Sequence, residues 1–163
     1  MNLPTKPFAQ AFFLCDALAP HPQDAGKRIA IGPWTGLYFR KAPYHHGQFV
    51  LSTTIAFPGY KPAPTDEPLR TVKLAVQLRQ PEGEWTQLWS WDEAPIDNLG
   101  FIEHQIVFPG IVIQRAGEHL FRLLVDDEVT AHCRFVAYEK AIDIATTGDL
   151  RNLQGAPAKR LVL

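Results

Sequence analysis

The stretch Val72-Lys73-Leu74-Ala75-Val76-Gln77-Leu78-Arg79 decides the fold. Val72, Leu74, Val76 and Leu78 point one way, while Lys73, Gln77 and Arg79 point the other. Side chains alternate across a strand, so this period of two marks a half-buried antiparallel β-strand. Outward from it, similar runs lie at 8–14, 28–40, 49–57, 85–91, 101–108, 111–115, 118–125 and 129–137. Turn formers separate most of them, including Gly26, Pro58-Gly59, Pro81-Glu82-Gly83, Ala116-Gly117 and Asp126-Asp127. With 14 Pro, 11 Gly and no long helical period before residue 138, the chain reads as all-β. The expected architecture is an antiparallel two-sheet sandwich of about eight strands.

The last two strands choose their own register. A three-residue loop at Asp126-Asp127-Glu128 sets Val125 opposite Val129, Leu123 opposite Ala131, Phe121 opposite Cys133 and His119 opposite Phe135. A two-residue loop would instead set Arg122 opposite Ala131 on the core face, which costs a buried charge. Residues 1–137 are therefore expected to form the sandwich, with 138–163 as a C-terminal extension that packs on it or on a partner. Leu161-Val162-Leu163 is the segment expected to dock, either on its own open sheet edge or on a second copy. Residues 58–68 carry Pro58, Pro62, Pro64 and Pro68, so they form a stiff loop.

Composition sets the class. The 163 residues carry 16 Lys+Arg against 17 Asp+Glu, a balance that speaks against a dedicated nucleic-acid binder. Hydrophobic residues make up 46%, enough for a globular core. No run of about 18 apolar residues is present, and the start MNLPTKPFAQ lacks a secretory pattern. Cys15 and Cys133 lie far apart, and no Asn-x-Ser/Thr site occurs. These features place the chain in the reducing cytoplasm.

Catalytic signatures are sparse. Serine occurs only at Ser52 and Ser90, neither in a nucleophile-elbow context. Ala25-Gly26-Lys27-Arg28 lacks the first glycine and the Ser/Thr of a phosphate loop. His119 and His132 fall on opposite faces and cannot share a metal, and Cys15 and Cys133 read as buried thiols. No nucleophile–base set emerges, so no enzymatic activity is expected. Trp85, Trp89 and Trp91 share parity on one run. They either fill the core or present an aromatic row for sugar rings or another small ligand.

The strand count also gathers charge. Loops 15–27, 58–69, 92–100 and 126–128 are expected at one end of the sandwich. They bring Asp16, Asp24, Asp66, Glu67, Asp92, Glu93, Asp97, Asp126, Asp127 and Glu128 together against Lys27 and Lys61. Of these, Asp66, Glu67, Asp92, Glu93, Asp97, Asp126, Asp127 and Glu128 are the candidate ligands for a hard cation such as Ca²⁺, which takes 6–8 oxygens. Apart from that ion, no cofactor is expected.

The run Phe12-Phe13-Leu14-Cys15-Asp16 followed by Gly26-Lys27-Arg28-Ile29-Ala30-Ile31-Gly32 resembles a bacterial family of uncharacterised proteins. Its members open on a strand ending in Cys-Asp, then a Gly-Lys loop and a strand ending in Gly. They close with a G-E-Y strand and a V-D-G-E hairpin turn. Here these are Gly117-Glu118-His119 and Val125-Asp126-Asp127-Glu128, with His119 in place of the aromatic and Asp127 in place of the glycine. The resemblance covers roughly 8–137 and implies an immunoglobulin-like sandwich and no activity. The resulting expectation is a non-catalytic protein-interaction module. A protein partner or self-association is expected, without nucleic acid or membrane.

Overall fold

The computed structural model describes residues 5–61 and 68–140. Its strands are β1 (Phe8–His21), β2 (Asp24–Pro33), β3 (Gly36–Phe39), β4 (Tyr44–His46), β5 (Phe49–Ala56) and β6 (Thr71–Arg79). They continue with β7 (Trp85–Pro95), β8 (Phe101–Phe108), β9 (Ile111–Ile113), β10 (Gly117–Val125) and β11 (Glu128–Glu139). A four-stranded sheet runs β2-β1-β5-β8 and a five-stranded sheet runs β3-β11-β10-β6-β7. A short β4-β9 ladder accompanies them. All pairs are antiparallel except β3 with β11.

The two sheets bury their alternate residues against each other. Val72, Leu74, Val76 and Leu78 join the core together with Leu51, Ile55, Ile102, Ile106, Leu123 and Val125. Phe49 stacks on Phe108 at 5.0 Å and meets Phe121 at 6.1 Å, and Phe121 lies 6.0 Å from Phe135, so phenylalanine rings bridge the sheets. Each fully buried Leu or Phe contributes roughly 1.5–3 kcal/mol relative to exposure.

The last hairpin reaches the expected register by another route. Its turn has two residues, Asp126 and Asp127, with φ of 48° and 64°, because Val125 pairs with Glu128. Two consecutive positive φ values match the twist of a tight hairpin. A bulge between Leu123 and Leu124 then absorbs one residue, restoring Leu123 opposite Ala131 and His119 opposite Phe135. Arg122 thereby stays off the core face.

Two expectations are corrected at the N-terminal side. The segment 15–27, expected as a loop, is mostly strand. Cys15 pairs with both Val50 and Pro33, so β1 changes partner there and continues to His21 beside β2. The expected strand 28–40 is also split, with Gly32 at φ 60° and Pro33 ending β2 before β3 begins. The β1–β2 arm therefore projects past the Phe49 end of β5. Cys15 is fully buried but lies on the outer face of its sheet, where Leu14 takes the core position. The expected domain boundary at 137 lies within β11, which continues to Glu139. The tail from 141, with Leu161-Val162-Leu163, lies outside the described residues.

Candidate functional site

A bulge in β7 decides where the tryptophans go. Gln87 pairs with Gln77 and Trp89 with Val76, which leaves Leu88 as the extra residue. Parity reverses at that point. Trp85 shares the solvent face of the five-stranded sheet with Arg79, while Trp89 and Trp91 turn inward beside Val76 and Leu74. The single row read from the sequence is thus divided between two faces. Trp89 and Trp91 meet edge to face at 6.5 Å, and His104 from β8 lies 5.2 Å from one and 4.9 Å from the other. Together they close the gap between the sheet edges. Burial there holds the His104 imidazole below the usual histidine range.

Trp85 sits among cations. The Arg122 guanidinium lies 4.0 Å over its ring and that of Arg79 5.1 Å. Arg122 is oriented by its Nε, which donates to Gln77 Oε1 at 2.8 Å. Cross-strand pairing sets Arg134, Leu120, Arg79 and Trp85 in one row, and His132, Arg122, Gln77 and Gln87 in the next. Two carboxylates border this part of the face, Glu118, 3.6 Å from Arg134, and Glu82, which is paired with Arg115. Both side chains of the Glu118–Arg134 pair are more than half exposed, so it neutralises Arg134 weakly. Further along β11 the rings of Tyr38 and Tyr138 stack at 5.0 Å and 20°, and they are 68% and 45% exposed. This part of the outer face is therefore a cationic strip with half-buried Trp85 at one margin and the exposed Tyr38–Tyr138 pair at the other.

The expected acidic end is only partly assembled. Asp92, Glu93, Asp97, Asp126, Asp127 and Glu128 lie on the segments at one end, tied by Phe57 N–H to Gly100 O (2.9 Å), Ile96 N–H to Arg70 O (2.9 Å) and Asp126 N–H to Lys73 O (2.9 Å). Asp16 and Asp24 sit on the arm at the opposite end, because β1 and β2 form the additional hairpin. Asp66 and Glu67 lie outside the described residues. Four carboxylates already hold donors. Asp97 accepts from the N–H groups of Leu99 (2.9 Å) and Phe101 (2.7 Å), and Asp126 from that of Lys73 (2.9 Å). Lys73 Nζ meets Asp127 at 3.1 Å and Lys6 Nζ meets Glu128 at 2.9 Å. Among the described residues no group of three or more His, Cys, Asp or Glu is arranged to hold a metal ion.

Burial also perturbs both thiols, His46 and His119. Burial pushes both thiols up, Cys15 with added repulsion from Asp16. Neither cysteine is in a disulfide. His119 is fully buried and stacks on Phe135 at 4.7 Å. Its Nδ1 is 3.0 Å from Gly117 O, and Nε2 has no hydrogen-bond partner. With Nδ1–H assigned as the donor, Nε2 is a bare acceptor, and burial lowers the pKa of the ring. Outside the cationic strip, the outer face of the four-stranded sheet is mainly apolar, with Ile29, Ile31 and Val107 exposed.

Sequence reading missed Arg79, Arg122, Arg134, Tyr38 and Tyr138 as a group. The alternation of 72–79 already turned Arg79 outward, and the hairpin register placed Arg122 opposite His132. No local motif joins these residues.

The two packed sheets place the chain among all-β proteins. The chain belongs to a family of unknown function, DUF6941, whose model matches residues 10–137. No curated protein matches the sequence. A similar solved structure is that of the alkylpurine DNA glycosylase AlkC of Pseudomonas fluorescens, bound to DNA containing an abasic-site analogue. The likeness has a TM-score of 0.45 and 10% identity, and it covers 83% of this chain and 31% of that one. At that score nothing about the glycosylase carries over to this chain. The expected partner class, a protein or second copy with nucleic acid set aside, is corrected on this chain's own charge distribution, since Arg79, Arg122 and Arg134 gather on one face. The physical flaw lay in using the formal charge of −1, which averages over faces of different charge. Among the described residues no helix is long and apolar enough to cross a membrane.

Proposed function

We propose that the chain is a non-catalytic module that binds single-stranded nucleic acid along the outer face of its five-stranded sheet. The observation that carries this reading is the strip itself. Arg79, Arg122 and Arg134 face solvent against Glu118, with Trp85 at one margin and the Tyr38–Tyr138 pair at the other. Arginines track a phosphate backbone, and exposed aromatic rings stack unpaired bases, a combination suited to single strands. Neighbouring strands lie about 4.8 Å apart, so Arg134 to Trp85 spans about 14 Å across the sheet. The sandwich is read as immunoglobulin-like, because four- and five-stranded sheets pack face to face with β3 running parallel beside β11. The raised pKa of both thiols supports a binding role over nucleophilic catalysis. The two free cysteines support a cytoplasmic setting.

Fluorescence anisotropy with a labelled twelve-residue oligothymidylate tests the reading. Three phosphate contacts give a log–log salt slope near −2, from about −0.7 per contact. Replacing Arg79, Arg122 or Arg134 singly by Gln is expected to lower that slope by about 0.7 each. Absence of binding at low salt, or binding indifferent to all three substitutions, contradicts the proposal.

A further inference from the structure

Beside the strip, a cavity of about 500 Å³ opens at the end of β3. It is lined by Tyr38, Phe39, Arg40, Lys41, Tyr44 and Lys140. That volume falls within the ~300–1,000 Å³ typical of small-ligand sites. Its walls combine two chemistries. Buried Phe39 carries Tyr44 stacked on it at 5.6 Å and 15°, and Tyr38 adds an exposed ring. Arg40, Lys41 and Lys140 supply three cations, and none of them forms a salt bridge with a described residue. Among the described residues no carboxylate lines the cavity. The Lys140 backbone N–H donates to Phe39 O at 2.9 Å, which fastens the end of β11 to β3 beside the opening.

We propose that this cavity binds a nucleoside monophosphate group, and that it captures the phosphorylated end of the single strand lying on the adjoining face. This rests on the reading above. Flat aromatic walls suit a base. Three cations without a salt bridge among the described residues suit a terminal phosphate, which carries about −1.5 to −2 charges at neutral pH, better than a singly charged internal diester. Tyr38 belongs to both surfaces, being stacked on Tyr138 at the margin of the strip and lining the cavity. A strand leaving the strip past Tyr138 therefore reaches the three cations directly.

The test is a backbone NMR titration of the full chain with adenosine 5′-monophosphate, adenosine and inorganic phosphate. The monophosphate is expected to shift Tyr38, Arg40, Lys41, Tyr44 and Lys140, with a Kd at least tenfold below those of adenosine and phosphate. The double variant Arg40→Gln/Lys41→Gln is expected to weaken the monophosphate at least tenfold while leaving an oligothymidylate without terminal phosphate within threefold. Adding a terminal phosphate to that oligonucleotide is expected to tighten its binding to the parent chain and not to the variant. No shifts with millimolar monophosphate, or shifts confined to Arg79, Arg122 and Trp85, overturn the proposal. If the unphosphorylated oligonucleotide still binds in that case, only the cavity assignment fails. If neither ligand binds, the strip reading fails with it.

Discussion

Replacing His119 by phenylalanine is expected to remove one part of the protein's sensitivity to mild acid, leaving those of His46 and His104. The ring is fully buried, stacked on Phe135 at 4.7 Å, and its Nε2 faces no partner that would accept a proton's hydrogen bond. Burial lowers its folded pKa, so the native state keeps it neutral where the unfolded chain, with a pKa of about 6.5, takes a proton. Below that pH the unfolded state binds more protons, and stability falls as pH falls until the folded pKa is passed. While His119 stays neutral in the fold, the loss between pH 7.5 and 5.5 is RT ln[(1 + 10)/(1 + 0.1)], or RT ln 10, and reaches about 1.4 kcal/mol for this one group. Phenylalanine keeps the stack and has no proton to bind. Urea melts of both proteins at the two pH values measure the difference. The parent should lose up to about 1.4 kcal/mol more than the variant on acidification. Equal losses in the two proteins refute the buried, neutral assignment.

The three tryptophans should separate by face. Trp89→Ala and Trp91→Ala, which remove half-buried rings packed on the core, should each cost about 2 kcal/mol in a denaturant melt, whereas Trp85→Ala should cost about 1 kcal/mol or less, mostly its cation–π contacts. Equal losses at all three positions contradict the bulge at Leu88. Millimolar Ca²⁺ should leave the melting temperature unchanged, because Asp97, Asp126, Asp127 and Glu128 already hold donors and a bound ion would stabilise the native state by mass action. A rise of several degrees would show that these carboxylates do assemble on the ion.

Most of the sandwich was legible because alternation is a direct imprint of a two-sided strand. The run 72–79 lies in β6 with the expected face inward. The final hairpin shows the limit of that logic. Pattern alone selected Leu123 opposite Ala131 and His119 opposite Phe135, yet it assigned the extra residue to the turn. The chain places it in a bulge instead, because two aspartates at positive φ close a tighter turn. The same device hid the division of the tryptophans, since a one-residue bulge at Leu88 reverses parity without any change in composition. The β1–β2 arm was missed for a different reason. Gly26 reads as a turn former, but an arm with open edges tolerates such a residue where a central strand does not. The cationic strip was latent in two separate patterns and needed the pairing of β6 with β10 to become one surface. Whole-chain charge concealed it.

The most direct test of the strip is the indole N–H spectrum during titration with an oligothymidylate lacking a terminal phosphate. The Trp85 resonance is expected to move together with the Arg122 Nε–H, while those of Trp89 and Trp91, turned inward against His104, stay in place. A Trp85 resonance that stays fixed while the oligonucleotide binds, or movement of Trp89 and Trp91 in its stead, would contradict binding on the outer face of the five-stranded sheet.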